Sequence, residues 1–146
     1  MNVSEDLIRQ VIMKVLSEQG TGVSNNYAEG FEKVKDPSGI IKIGTHTVPL
    51  ERFEQDGVNL KDVTTLQESP NMGCGIMELK GTSFEWTLTY DEYDICLEGV
   101  LEIEIDGRVL TAKPGEIIFI PKNSHIHFQT PSYAKYVYIT YPADWA

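Results

Sequence analysis

The sequence predicts an all-β chain: a small closed antiparallel β-barrel of jelly-roll type, preceded by an amphipathic helix on a flexible linker. Three observations carry this. Asp106-Gly107 supplies the positive φ angles of a tight two-residue hairpin turn, and apolar or alternating runs flank it. Before it, Leu101, Ile103 and Ile105 share one face while Glu102, Glu104 and Asp106 share the other, the period-2 pattern of a half-buried strand. After it, Gly115 opens the apolar run Glu116 to Ile120, which Pro121 stops because proline cannot donate to a ladder.

Taken in order, the chain begins with a helical stripe. Val3, Leu7, Ile8, Val11, Ile12, Val15 and Leu16 fall at i, i+3, i+4 spacing, which predicts a helix from Val3 to Gln19. Ser4 is placed to cap it, Glu5 and Asp6 suit its positive end, and Gly20 suits its C-terminal cap. Residues 1–19 thus form one amphipathic segment. Residues 20–34 are a linker or arm, opening on Gly20-Thr-Gly-Val-Ser-Asn-Asn, with Tyr27 to Lys35 either a short helix or an ordered arm. The barrel domain spans 35–146.

Within the barrel domain, Asp36-Pro37-Ser38-Gly39 is a turn. Ile40 to Gly44 and His46 to Leu50 read as short strands, and lone His46 beside the turn as a solvated or hydrogen-bonded side chain. Glu51 to Leu60 reads as a polar loop, then Lys61 to Gln67 and Gly73 to Lys80 as strands. Phe84, Trp86, Leu88 and Tyr90 alternate with Ser83, Glu85, Thr87 and Thr89, so either the aromatic or the polar face lines the barrel. Tyr133 to Tyr141 closes the sheet, with Tyr136, Tyr138, Tyr141 and Trp145 gathered near the end as an aromatic band that suits a core or dimer interface.

Composition narrows the partners. A net charge of −10, from 22 acidic and 12 basic residues, repels a phosphate backbone, and no basic cluster interleaved with aromatics offsets it, so nucleic acid is disfavoured. Apolar runs fall short of a membrane span, and no basic-then-apolar leader opens the chain. Cys74 and Cys96 lack CxxC spacing and read as reduced thiols in a cytosolic setting.

Candidate chemistry concentrates in Tyr90-Asp91-Glu92-Tyr93-Asp94, with Glu85 on the preceding strand. Glu92 and Asp94 fall on one strand face. Two carboxylates held close inside a barrel either raise a pKa or call for a cation; in the open they form a solvated acidic turn. Oxygen donors without histidine suit Mg²⁺, with Glu92, Asp91 and Asp94 as candidate ligands and Tyr90 beside them. A phosphate-bearing partner needs counter-charge. Lys122, Lys113 and Arg108, with Arg52 and Lys80, are the candidates, scattered in sequence and without a Gly-x-x-x-x-Gly-Lys-Ser/Thr loop.

The glutamate seven residues before a glycine, Glu92 to Gly99, and the glycine six residues before a proline, Gly115 to Pro121, resemble the two linked motifs of the cupin family. Within cupins, the runs Phe84 to Glu92 and Ile118 to Lys122 and the tail Tyr141-Pro-Ala-Asp-Trp145 resemble the EutQ family of ethanolamine utilisation. The likeness covers Lys35 to the C-terminus. A metal cupin carries an His-x-His pair before the glutamate and another histidine after the proline. Here those positions fall on Glu85 and Thr87, or on Trp86 and Leu88, and on Ile126. His125 and His127 flank Ile126, and strand alternation points both away from its face. No histidine-based transition-metal site is expected.

The resemblance implies two alternatives. One is an acetate kinase, interconverting acetate and ATP with acetyl phosphate and ADP, with Mg²⁺ at an acidic barrel mouth; Glu92, Asp94 and Tyr90 are then catalytic, and Lys122, Lys113 and Arg108 meet the nucleotide. The other is a non-catalytic dimeric cupin that binds a small ligand or serves microcompartment assembly. Both imply a homodimer in the bacterial cytoplasm, within or at a microcompartment. Residues 1–19 resemble the segments that dock cargo onto microcompartment shells; the alternative is a helix packed on its own barrel or on a twin subunit.

Overall fold

A computed structural model describes residues 5–10, 24–25 and 29–145. The chain divides into two units, Met1–Pro49 and Leu50–Ala146.

In the first unit, residues 5–10 are helical and exposed. The rest of the predicted helix, and most of the linker, lie outside the described residues. Three short strands, β1 (Ser24–Asn25), β2 (Lys33–Lys35) and β3 (Ile41–Ile43), form an antiparallel sheet in that order. The β2–β3 turn has the chemistry read from it: the Asp36 carboxylate accepts from the Ser38 N–H at 2.8 Å, and Gly39 takes φ 99°. The segment read as a short helix or an ordered arm carries strand β2 at its end. One expectation is corrected: the strand expected from His46 to Leu50 is not formed, and Thr45–Thr47 is instead a single 3₁₀ turn in which the Thr47 hydroxyl donates to the Gly44 carbonyl at 2.7 Å. A local side-chain bond of this kind competes with the ladder.

The second unit, Leu50–Ala146, holds the jelly roll. Its strands are β4 (Glu51–Phe53), β5 (Gln55–Asp62), β6 (Gly73–Lys80), β7 (Ser83–Thr87), β8 (Asp91–Gly99), β9 (Leu101–Ile105), β10 (Arg108–Ala112), β11 (Ile117–Ile120), β12 (His125–Gln129) and β13 (Tyr133–Tyr141). They form a six-stranded sheet, β11-β8-β13-β6-β5-β4, and a four-stranded sheet, β10-β9-β12-β7, antiparallel throughout. Among the described strands no ladder joins the two sheets, so the barrel is a flattened sandwich rather than a continuous cylinder. Asp106 and Gly107 both take positive φ, 51° and 80°, as the β9–β10 hairpin requires.

Strand alternation fills the space between the sheets. Val58, Met77, Leu79, Cys96, Ile118, Ile120, Ala134 and Tyr136 from the larger sheet meet Phe84, Leu101, Ile103, Ala112, Ile126 and Phe128 from the smaller one. Fully burying one such large side chain contributes about 1.5–3 kcal/mol. One expectation fails here: Glu51 to Leu60 is not a loop but two paired strands turning at Glu54, which takes φ 63°. The predicted strand at Lys61 to Gln67 is mostly the connection after β5, which ends at Asp62.

Candidate functional site

Strand β8 builds the site. Its pleat sends Glu92, Asp94 and Cys96 inward and Asp91, Tyr93 and Ile95 outward. Opposite Glu92 and Asp94 stand Ile120 and Ile118 on β11, and Thr140 and Tyr138 on β13. Both acids are buried, Glu92 4% and Asp94 0% exposed. Oε2 of Glu92, both carboxylate oxygens of Asp94 and the hydroxyl of Thr140 have no hydrogen-bond partner among the described residues.

Burial sets the protonation of this pair. It pushes Glu92 up to about 7. Asp94 is driven well above the carboxylate range by burial first and by the neighbouring Glu92 second. Two buried acids this near one another do not both ionise readily, so the pair is a dyad that favours the protonated form, Asp94 the more strongly.

An aromatic wall covers Glu92. Phe53, Phe84, Trp86, Tyr90, Phe128, Tyr138 and Trp145, with Met77, surround a cavity of about 10 Å³ that reaches it. The indole N–H of Trp86 donates to the Tyr90 oxygen at 2.7 Å. Tyr138 donates its hydroxyl to Asp62 at 2.5 Å, and the Trp145 indole donates to the same Asp62 oxygen at 3.0 Å. Trp145 also packs edge-on against Phe53 and Tyr138, with ring centroids 5.6 and 5.7 Å apart. Gly75 makes room for this arrangement: it pairs with Tyr138, and a Cβ there would overlap the tyrosine ring. Burial holds the Tyr90, Tyr136 and Tyr138 phenols above their ordinary value, so all three stay neutral.

The predicted site residues separate into two groups. Tyr90, Glu92 and Asp94 come together inside. Asp91 does not join them: it is exposed, and its carboxylate accepts the Lys122 N–H at 2.8 Å. The side chains of Lys122, Lys113 and Arg108 are exposed and line no part of the cavity; Arg108 lies 3.9 Å from Asp106. Of the family's histidine positions, Ile126 is buried and pairs with Trp86, which faces the cavity. His125 and His127 point outward, His125 to Glu85 at 2.7 Å and His127 to Glu104 at 2.9 Å. Sequence reading missed Asp62, Thr140 and Phe53. Asp62 and Phe53 come from a segment read partly as loop, while Thr140 sits on the inner face of an alternation that was read for its tyrosines.

Two facing antiparallel sheets with a glutamate on the inner face define the class, a cupin. A cupin of RmlC type from Shewanella frigidimarina superposes with a TM-score of 0.57 over 66% of this chain and 85% of that one, at 14% identity, a likeness of fold. The profile described as ethanolamine utilisation protein EutQ matches residues 3–146, and the chain belongs to that family. It is 44% identical to a protein of Clostridioides difficile named acetate kinase EutQ, over 99% of this chain and 96% of that one. The solved structure of the Clostridium difficile EutQ protein superposes with a TM-score of 0.76, at 50% identity, over 80% of this chain and 90% of that one. Relatives of the same name in Salmonella typhimurium and Escherichia coli are longer, and the chain spans 63% and 62% of their lengths.

Proposed function

We propose that this chain is an acetate kinase of ethanolamine catabolism, acting within or at a bacterial microcompartment in the cytoplasm. The observation that carries the reading is the buried Glu92–Asp94 dyad in a chain so similar, end to end, to a relative named for that activity. In the reaction a carboxylate oxygen of acetate attacks the γ-phosphorus of ATP, the bond from that phosphorus to ADP breaks, and acetyl phosphate leaves. Such a transfer needs positioning and charge neutralisation more than covalent chemistry.

The partnerless oxygens of Glu92 and Asp94 are the hard donors that Mg²⁺ takes, so these two residues would hold it. Bound there, Mg²⁺ would supply positive charge to the phosphate oxygens. Burial favours a proton on Asp94, and a cation held beside it would favour its ionised form. Tyr90, neutral and held by the Trp86 indole, lines the cavity beside Glu92. A cavity of about 10 Å³ has room for about one water, whereas hydrated Mg²⁺ brings several, so this reading requires Trp145 to leave.

A second reading, a non-catalytic ligand-binding cupin, is favoured by one observation: among the described residues no Lys, Arg or His lines the cavity. Both readings take a homodimer, with residues 1–19 as the docking segment for the shell or another lumen protein. The discriminating experiment measures acetyl phosphate formed from acetate and ATP, with protein freed of host kinases. Wild type turns over; Glu92→Gln keeps the shape, loses the charge and falls about ten- to a hundredfold, the scale of one charge-assisted contact. Absence of turnover in wild type selects the binding module. Unchanged turnover in a folded Glu92→Gln clears that residue.

A further inference from the structure

Of the residues that line the Glu92 cavity, Phe53, Trp86 and Trp145 reach solvent and the others are buried, so these three rings form its outer side. Phe53 and Trp86 stand on ladder strands, β4 and β7. Trp145 does not. Strand β13 ends at Tyr141, and among the described residues no backbone hydrogen bond outside the strands involves 142–145. Two seats hold this stretch instead. Ala143 is buried on Gly73, where a Cβ would stand 3.0 Å from the Ala143 carbonyl oxygen. Trp145 lies against the aromatic wall, its indole donating to Asp62 at 3.0 Å. Between the two seats, Asp144 is exposed.

We propose that Trp145 is a hinged lid: it turns outward about Asp144 while Ala143 stays seated on Gly73, with Asp62 as its latch, and so opens the cavity to solvent. This rests on the reading of Glu92 and Asp94 made above and names how that site is reached. With the lid closed the space holds about one water, so anything larger enters only when the Trp145 ring swings aside.

The contacts divide into a part that moves and a part that stays. Trp145 meets Phe53, Trp86, Tyr90 and Tyr138 edge-on, at ring centroid distances of 5.6, 6.1, 6.5 and 5.7 Å. Each of these partners keeps other support when Trp145 leaves. Phe53, Trp86 and Tyr138 remain in their ladders, and the Trp86 indole still donates to Tyr90. Asp62 still accepts from Tyr138, so the latch holds its place with the lid open. Turning the lid breaks one hydrogen bond and the ring contacts but no rung of a ladder, which makes it a local opening rather than an unfolding.

Met77 reports the opening, because it is buried and lines the cavity, whereas Met72 is half exposed. Hydrogen peroxide is small and uncharged; it transfers one oxygen to a thioether it can reach, giving the sulfoxide and leaving water. Oxidation of each methionine is followed by mass spectrometry of the whole chain after digestion. In wild type, Met77 should oxidise far more slowly than Met72. Trp145→Phe keeps a ring and leaves the Asp62–Tyr138 bond intact but loses the bond to the latch. It should speed Met77 about tenfold, the scale of one hydrogen bond to a charged group. Trp145→Ala should be faster again, with Met72 unchanged in all three proteins. Equal Met77 rates in wild type and Trp145→Phe overturn the proposal. A second measurement needs no variant. The Trp145 indole N–H of wild type should exchange with solvent through an opening that low denaturant does not speed, while core amides of β8 and β13 wait for an unfolding that it does speed. Indole exchange in step with those amides overturns the lid. Acetyl phosphate formation on the same preparations keeps the two readings apart. A lid that opens on a protein without turnover removes the kinase and keeps the lid; turnover with Met77 equally sealed in all three proteins removes the lid and keeps the kinase.

Discussion

Glu92 and Asp94 lie two residues apart on β8, so the pleat puts both inside, where removal from water outweighs every other influence on their charge. This has a consequence for stability. In the unfolded chain both acids ionise at ordinary carboxylate values; folded, Glu92 holds its proton up to about 7 and Asp94 holds it further. Between those values the native state binds more protons than the unfolded one. The contribution is therefore fully present below the unfolded pKa and is lost as pH rises through the folded one. For Glu92 the loss is about 3 kcal/mol across that window. Denaturant midpoints should fall from about pH 5 to about pH 8, and Glu92→Gln should make the slope shallower by Glu92's share while that of the buried Asp94 remains. Repulsion within a chain of net charge −10 acts in the same direction, so the difference between wild type and variant is the measure. Parallel pH profiles would show that Glu92 is not a buried acid.

Elements differ in how plainly the sequence announces them. From β8 to β12 the signals are strong: a strict alternation, an Asp-Gly turn, and a proline stop, each with a physical cause. Strands β4 and β5 were missed because they are the edge strand of the six-stranded sheet and its neighbour, where Glu51, Arg52 and Asp56 face solvent and leave few apolar residues to set a period. Their turn falls on Glu54, which carries no turn signal. The dyad was legible from i, i+2 spacing; the lid over it was not, since Asp62 and Trp145 meet only through the fold. The N-terminal segment remains an element known mainly from its stripe. Residues 5–10 are helical, with Leu7 and Ile8 about half exposed, and an apolar stripe at the spacing read across residues 3–16 is the kind that docks in a partner's groove. Residues 1–19 fused to a fluorescent protein should gather it into puncta in cells with assembled shells, while the chain without them keeps its cooperative unfolding. A diffuse fusion together with an unfolded truncation would make the helix an ordinary part of the fold.

At the scale of the whole molecule, the outer face of the six-stranded sheet bears on association. Across it, Phe119 pairs with Tyr93, which pairs with Ile139; Ile117 pairs with Ile95, which pairs with Val137. Tyr93, Ile117, Phe119 and Tyr141 are each about half or more exposed, and the Tyr93 and Phe119 rings lie 4.9 Å apart. Contiguous apolar surface of this kind is uncommon on a monomer and suits an isologous contact, the same patch on both copies. Net charge −10 on each chain opposes dimerisation, so apolar burial has to drive it. Two-fold symmetry then doubles every change. One aromatic lost from the centre of an interface weakens it by about 2 kcal/mol, so Phe119→Glu, present twice, should cost about 4 kcal/mol, about a thousandfold in Kd. Sedimentation equilibrium should give two chains for wild type and one for Phe119→Glu at the same concentration, with unfolding behaviour preserved because Phe119 lies outside the core. A wild-type protein that sediments as a single chain at every concentration, or a Phe119→Glu dimer as tight as the parent, would take this face out of the assembly.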